Sequence, residues 1–177
     1  MEKKEIAVNI KETCSTLIGV LDSFTEHEFN TVPSQGGWTA GQVAEHLLLS
    51  AGVAEVITGR TEETTRADDE KIAVIGSIFL DFTTRLSSPD FIIPAAGMYD
   101  KTEMIDKLKI VWTRLGQAVK LLDLSVTCVD AEFPTLGHLT RLEWIVFYVF
   151  HTQRHIRQLK NIHGALSAAT GAAKQYT

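Results

Sequence analysis

Cysteine is scarce in this chain of 177 residues, with Cys14 and Cys128 its only two. They lie far apart and belong to no metal or redox motif, which excludes a disulfide framework and a cysteine zinc site. Both fall at apolar positions of the pattern, as buried free thiols of a reducing compartment do. Proline is also sparse: Pro33, Pro89, Pro94 and Pro134 punctuate the chain and leave long intervals free to be helical. Positive charge is thin, with 17 Lys and Arg against 22 Asp and Glu for a net charge of −5. No basic cluster is dense enough to grip phosphates, so nucleic acid is not an expected partner. No run approaches the roughly 20 apolar residues of a membrane span. The start MEKKEIAVNIKET is charged and amphipathic, unlike a secretory leader, so a cytoplasmic protein with no membrane partner is expected. GxGxxG, P-loop, GxSxG and HExxH motifs are all absent, as are strand patterns with hairpin turns. An apolar content of 45% and a charged content of 22% are ordinary for a globular protein. The length suits a single domain over residues 1–177 with a core of its own.

What the sequence does hold is helical periodicity. Ile10, Cys14, Leu17, Leu21 and Phe24 recur at alternating fours and threes, predicting an amphipathic helix over about residues 3–29. The stretch NTVPSQGG that follows is a loop, broken by Pro33 and two glycines. Thr39 is a good N-cap, and Trp38 before it can staple the helix entry against Val43. A second helix is therefore predicted over 40–57, with Val43, His46, Leu47, Ser50 and Ala54 facing inward. The polar GRTEETTRADD is a connection, and Ile75, Ile78, Phe79, Phe82 and Leu86 suit a short helix over 70–86. Residues 87–100 hold Pro89, Pro94 and Gly97 and read as an extended crossover, which lets the third helix lie parallel to the second. Met104, Leu108, Val111, Leu115, Ala118 and Leu122 place that third helix over 101–124. Residues 126–137 are loop. A fourth helix occupies the apolar run 139–162, and from Gly164 the small and polar residues predict a frayed tail. The expected fold class is all-α, a four-helix bundle.

The fourth helix carries the chemistry. His151 and His155 are four apart, so a helix presents both imidazoles to one point. Trp144, Tyr148, Gln158 and Ile162 continue the same stripe. Histidines in such a seam are either buried structural residues or ligands. The nearest candidate for a third arm is His46, inward-facing on another helix. An i, i+4 pair with a third imidazole from a facing helix can hold a metal ion and leave a coordination position open, as catalytic sites do. Histidine suits zinc, nickel, iron or copper. His27, His138 and His163 are expected to be structural or solvent-facing. Glu45 adjoins His46 but points about 100° away around the helix, as a solvated charge does. For Gln158 packing or solvent is expected ahead of a hydrogen bond to His155, and Trp38, Trp144 and Tyr148 read as core aromatics. Leu142, Ile145, Val149, Ile156 and Leu159 make the other face of this helix apolar too. Apolar surface nearly all round predicts a partner, hence a homodimer.

Three stretches resemble a known family. GGWTAGQVAEHLLLS is similar to the second-helix signature of the DinB/YfiT-like superfamily, a tryptophan followed some eight residues later by a ligand histidine. GHLTRLEWIVFYVFHTQRHIRQLKNI resembles its last-helix signature, and PDFIIPAAG its DinB-2-type crossover. The resemblance implies an up-up-down-down bundle holding one divalent metal, zinc, nickel or iron, on His46, His151 and His155, often as a dimer. It also implies a metal-dependent enzyme acting on a small molecule. The reaction is then either S-transfer with a low-molecular-weight thiol such as bacillithiol or mycothiol, or hydrolysis. Three neutral imidazoles leave the ion's charge uncompensated, which suits it to acidify water or hold a thiolate. The alternatives are a non-catalytic stress-response bundle that binds metal or a small molecule, and a structural dimer with buried histidines.

Overall fold

The computed structural model describes residues 2–173. Helix α1 (Lys3–Asp22) buries Ile6, Ile10, Thr13, Leu17 and Leu21 along one stripe. It stops short of the predicted 3–29 because Thr25 caps a separate helix, α2 (Glu26–Phe29), in a capping box with Glu28. Helix α3 (Ala40–Leu49) starts at the Thr39 N-cap, where Gln42 completes a second capping box. The predicted second helix is broken by a 3-10 turn at Ser50–Gly52 before α4 (Val53–Thr58) resumes it. At the break the Ser50 hydroxyl donates to the His46 carbonyl at 2.8 Å, a back-bond that favours bending, and Gly52 follows it in the turn. Next come β1 (Thr61–Glu62), α5 (Ile72–Phe79), the crossover with a 3-10 turn at Asp90–Ile92, and α6 (Lys101–Leu121). The chain then passes through β2 (Thr127–Cys128) into α7 (Arg141–Ala173). The strands pair antiparallel, Thr61 with Cys128 and Glu62 with Thr127. At two residues each they are too short to show alternation, which is why the sequence predicts none.

Helices α1, α3–α4, α6 and α7 form the four-helix bundle. Side-chain tethers fix their directions. Lys3 reaches the Leu122 carbonyl and Lys101 the Phe24 carbonyl, so α1 and α6 are antiparallel. Gln153 meets Thr13 and His163 meets Phe24, so α1 and α7 run the same way. Tyr148 donates to the Leu47 carbonyl and Arg141 to that of Ile57, so α3–α4 opposes α7. The second and third bundle helices are thus parallel, as the crossover predicts. The order along the chain is up-down-down-up in place of up-up-down-down, because the chain reverses between α1 and α3 and both α3–α4 and α6 run opposite to α1 and α7.

Helix α7 is the central element, 33 residues or about 50 Å long. It packs on α1, α3, α4 and α5. Its nearly all-round apolar surface is therefore covered within the chain: Leu142, Trp144, Ile145, Val146, Tyr148, Val149, Ile156, Leu159 and Ile162 are all buried. That burial removes the apolar-face argument for a dimer. The helix also outlasts its predicted end. Leu159, Ile162 and Leu166 keep one buried stripe across Gly164, so residues 164–173 are helical where a frayed tail is predicted. The rest of that tail, 174–177, lies outside the described residues. At the other end Thr140 and Glu143 form a capping box. The fully buried Glu143 carboxylate takes both guanidinium arms of Arg66, at 2.7 and 2.6 Å.

Candidate metal centre

Two bundle helices and the crossover build the centre. His46 sits in the last turn of α3, one turn beyond Val43, and its direction is set where the Thr39 capping box starts that helix. His151 and His155 stand one above the other on α7, with ring centroids 4.6 Å apart. The His46 ring lies 5.0 Å from His151 and 4.6 Å from His155. All three are buried, at 1%, 5% and 8% exposure. The structure thus brings the three candidate residues together.

Their Nε2 atoms converge. His151 Nε2 is 3.1 Å from Nε2 of His46 and 3.1 Å from Nε2 of His155. The far edges of two rings are tied down. His46 Nδ1–H donates to the Ile92 carbonyl at 2.7 Å, and His155 Nδ1–H donates to Gln158 Oε1 at 2.8 Å. Carbonyl oxygens only accept, so Nδ1 carries the proton in both rings and Nε2 offers its lone pair. Burial pushes all three imidazoles below their usual range, His155 to about 3 and His151 well down, with neighbouring imidazoles and Arg154 adding to the effect on both. At neutral pH the three rings are uncharged.

The arrangement leaves a polar conflict that a cation resolves. If His151 carries its proton on Nδ1, three lone pairs face one another. If the proton is on Nε2, it cannot fully satisfy both neighbours, and a buried Nδ1 lone pair is stranded. In either case Nδ1 of His151 has no partner among the described residues. Two nitrogens bound at about 2.0–2.1 Å to a tetrahedral ion lie about 3.3–3.4 Å apart, close to the spacing here. The donor atoms all fall within 4.8 Å of one another, and the set fits a metal ion.

The walls are aromatic. His151 stacks on Phe147 and meets Phe79 edge-on, while the Trp38 indole lies 4.9 Å from His46. Trp38 therefore borders the centre as well as the entry to α3. Among the described residues no carboxylate bonds to any of the three imidazoles. His27 is exposed, His138 donates to the Ala131 carbonyl, and His163 meets Phe24 edge-on, so none joins the cluster. Cys14 and Cys128 are free, and burial holds both thiols protonated, Cys128 at about 11.

Sequence reading ranks one support of the centre too low and misses another. Gln158 bonds to His155 where packing or solvent is expected; its place one turn further along the stripe is the signal. The Ile92 carbonyl is a backbone group on a segment without periodicity and gives no signal at all.

Three comparisons bear on this chain. The DinB superfamily profile matches residues 9–159. The uncharacterized protein YuaE of Bacillus subtilis (strain 168) is 22% identical over 150 residues, covering 84% of this chain and 91% of YuaE. The solved structure of YfiT from Bacillus subtilis, described as a probable metal-dependent hydrolase with an unusual four-helix bundle topology, superposes with a TM-score of 0.57. That match is 16% identical and covers 94% of this chain and 88% of YfiT. A profile match running from α1 past His155, on a four-helix bundle with this connectivity, places the chain in a family: it belongs to the DinB superfamily.

Proposed function

We propose that this protein is a metal-dependent enzyme that transforms a small molecule, by hydrolysis or by thiol-dependent S-transfer, at His46, His151 and His155. The observation that carries the reading is the convergence of three neutral imidazoles, two held in one tautomer by outward Nδ1–H bonds and the third left with an orphaned nitrogen. A bound divalent ion supplies Lewis acidity with a position open to water or to a substrate thiol. The chain's own groups supply the rest. Ile92 and Gln158 orient the ligands, and the aromatic walls thin the water around them. The YfiT description supports hydrolysis as one of the two reactions. A homodimer is proposed on the family resemblance alone, since the apolar surface of α7 is covered within the chain.

Elemental analysis of untagged, zinc- or nickel-loaded protein is expected to give about one equivalent per chain. Well under half an equivalent counts against the centre. Turnover of model esters, and of a thiol with an electrophile, each with and without metal, separates the two reactions. No metal-dependent turnover of either kind favours a binding bundle.

Gln158→Leu removes the His155 acceptor and leaves the three ligands in place. Loss of such outer partners typically costs about 10–100-fold in metal affinity. A zinc titration of this variant that matches wild type removes Gln158 from that role.

A further inference from the structure

The crossover between α5 and α6 presents apolar side chains to solvent, with Phe91 80% and Met98 86% exposed. Between residues 80 and 98 only Pro94 is buried, so no core holds this segment against the bundle. A few polar tethers do so. At one end Arg154, between the two histidines of α7, donates to the Asp81 carbonyl at 2.6 Å, and also to the carbonyls of Phe79 and Thr84. At the other end the Ile92 carbonyl takes the His46 Nδ1 proton, and Gln42 and Tyr99 reach the Ala95 carbonyl.

The crossover is therefore tied to both helices that supply the candidate ligands. Its tie to His46 also decides which nitrogen that ring presents. We propose that Arg154 is a positioning residue, a fork that docks the crossover so that the Ile92 carbonyl holds His46 in its ligating tautomer. Metal binding and docking of residues 81–98 are then one coupled equilibrium: whatever favours the docked crossover favours the ion, and the ion favours the docked crossover by the same factor. The planar guanidinium suits the task because Nη1 and Nη2 reach different carbonyls from a rigid fork, whereas an ammonium offers its donors from a single point. The inference rests on the metal-centre reading above.

Charge alone predicts the opposite of the tether. The positive charge of Arg154 acts on His151 and His155 and opposes a further cation there. Removing that charge strengthens zinc binding if electrostatics is its whole role, and weakens it if the fork positions His46. The experiment is a zinc titration of the full chain as wild type, Arg154→Met, Arg154→Lys and Arg157→Met, with amide hydrogen exchange over 81–98 in the presence and absence of zinc. Arg157 is the comparison for a cation on the same helix that meets the crossover through the Phe82 ring and, among the described residues, through no carbonyl of it, so it separates the carbonyl fork from a ring contact.

Arg154→Met is expected to bind zinc about 10–100-fold more weakly, the usual consequence of losing an outer support. Arg154→Lys should weaken binding although its charge is kept, and Arg157→Met should match wild type. Zinc should slow exchange over 81–98 in wild type and fail to do so in Arg154→Met. If Arg154→Met does not fold, Arg154→Lys carries the test. Binding equal to or tighter than wild type in the Arg154 variants, or crossover exchange indifferent to zinc in wild type, overturns the tether alone. A wild type that takes up no zinc overturns the metal centre and the tether together.

Discussion

Glu143→Ala is expected to lower the stability of the fold by about 3–5 kcal/mol, the usual cost of breaking a buried ion pair from one side. Glu143 is fully buried, and each carboxylate oxygen is shared between a charge and a backbone N–H. Oε1 accepts from Arg66 at 2.7 Å and from the Lys71 N–H at 2.8 Å. Oε2 accepts from Arg66 at 2.6 Å and from the Thr140 N–H at 2.9 Å. One side chain thereby fixes the start of α7, the entry to α5 and the polar connection that carries Arg66. Its loss strands a guanidinium in a side chain only 19% exposed, and leaves two N–H groups without acceptors.

The same network sets a pH dependence. Burial pushes the Glu143 carboxyl upward, but the Arg66 guanidinium and the N–H groups of Thr140 and Lys71 outweigh it, and the net position is below the ordinary range. An acid depressed in the folded state adds stability that is fully present above its unfolded pKa, about 4.3, and is lost as pH falls through the folded value. Urea unfolding of wild type and Glu143→Gln should therefore differ most near neutral pH, and the gap should narrow as pH falls below about 4 and through the depressed folded value. A gap that stays constant across this range, or a Glu143→Ala cost under about 1 kcal/mol, contradicts the role given to Glu143.

This network also marks a limit of the sequence reading. Thr140-Arg141-Leu142-Glu143 is a legible capping box, and it explains one of the four bonds to the carboxylate. Arg66 lies in a connection with no periodicity, so nothing in the order of residues pairs it with Glu143. His151 and His155 are easily read, because a four-residue spacing on a long helix fixes their mutual geometry before any tertiary contact forms. Periodicity makes His46 legible only as an inward residue, and it is the resemblance of GGWTAGQVAEHLLLS that points to it as a ligand. That its Nε2 meets the other two depends on how α3 packs against α7, and on a carbonyl of the crossover. The expected order of helix directions comes from the resemblance and not from the residues: whether a loop folds a helix back or carries it across depends on packing, and loop 30–39 gives no periodic signal. The predicted end of α7 falls too early because Gly164 and the small residues after it hide the stripe from Leu159 through Leu166.

His46→Ala gives the sharpest separation of ligand from core residue, and the readout is the difference that metal makes. His46 is 1% exposed and donates to the Ile92 carbonyl at 2.7 Å. Truncation therefore leaves a cavity and an unpaired carbonyl even without metal, and chelator-treated variant should be less stable than chelator-treated wild type by roughly 1–3 kcal/mol. That loss says nothing about ligation. Zinc or nickel addition does. An ion that binds only the folded state stabilises it by about 2.7 kcal/mol at one hundred times its Kd, and by about 4.1 kcal/mol at one thousand times. Two imidazoles on one helix hold the ion far less well than three, and loss of an outer support alone costs about 10–100-fold in affinity. Loss of a direct ligand should exceed that, and the metal-induced increment should nearly vanish at concentrations that saturate wild type. The measurement is thermal melting of both proteins with chelator and with added metal. The expected pattern is a large upward shift in wild type and almost none in the variant. Equal shifts in the two proteins would place the ion elsewhere and leave His46 as a packed histidine bonded to the crossover.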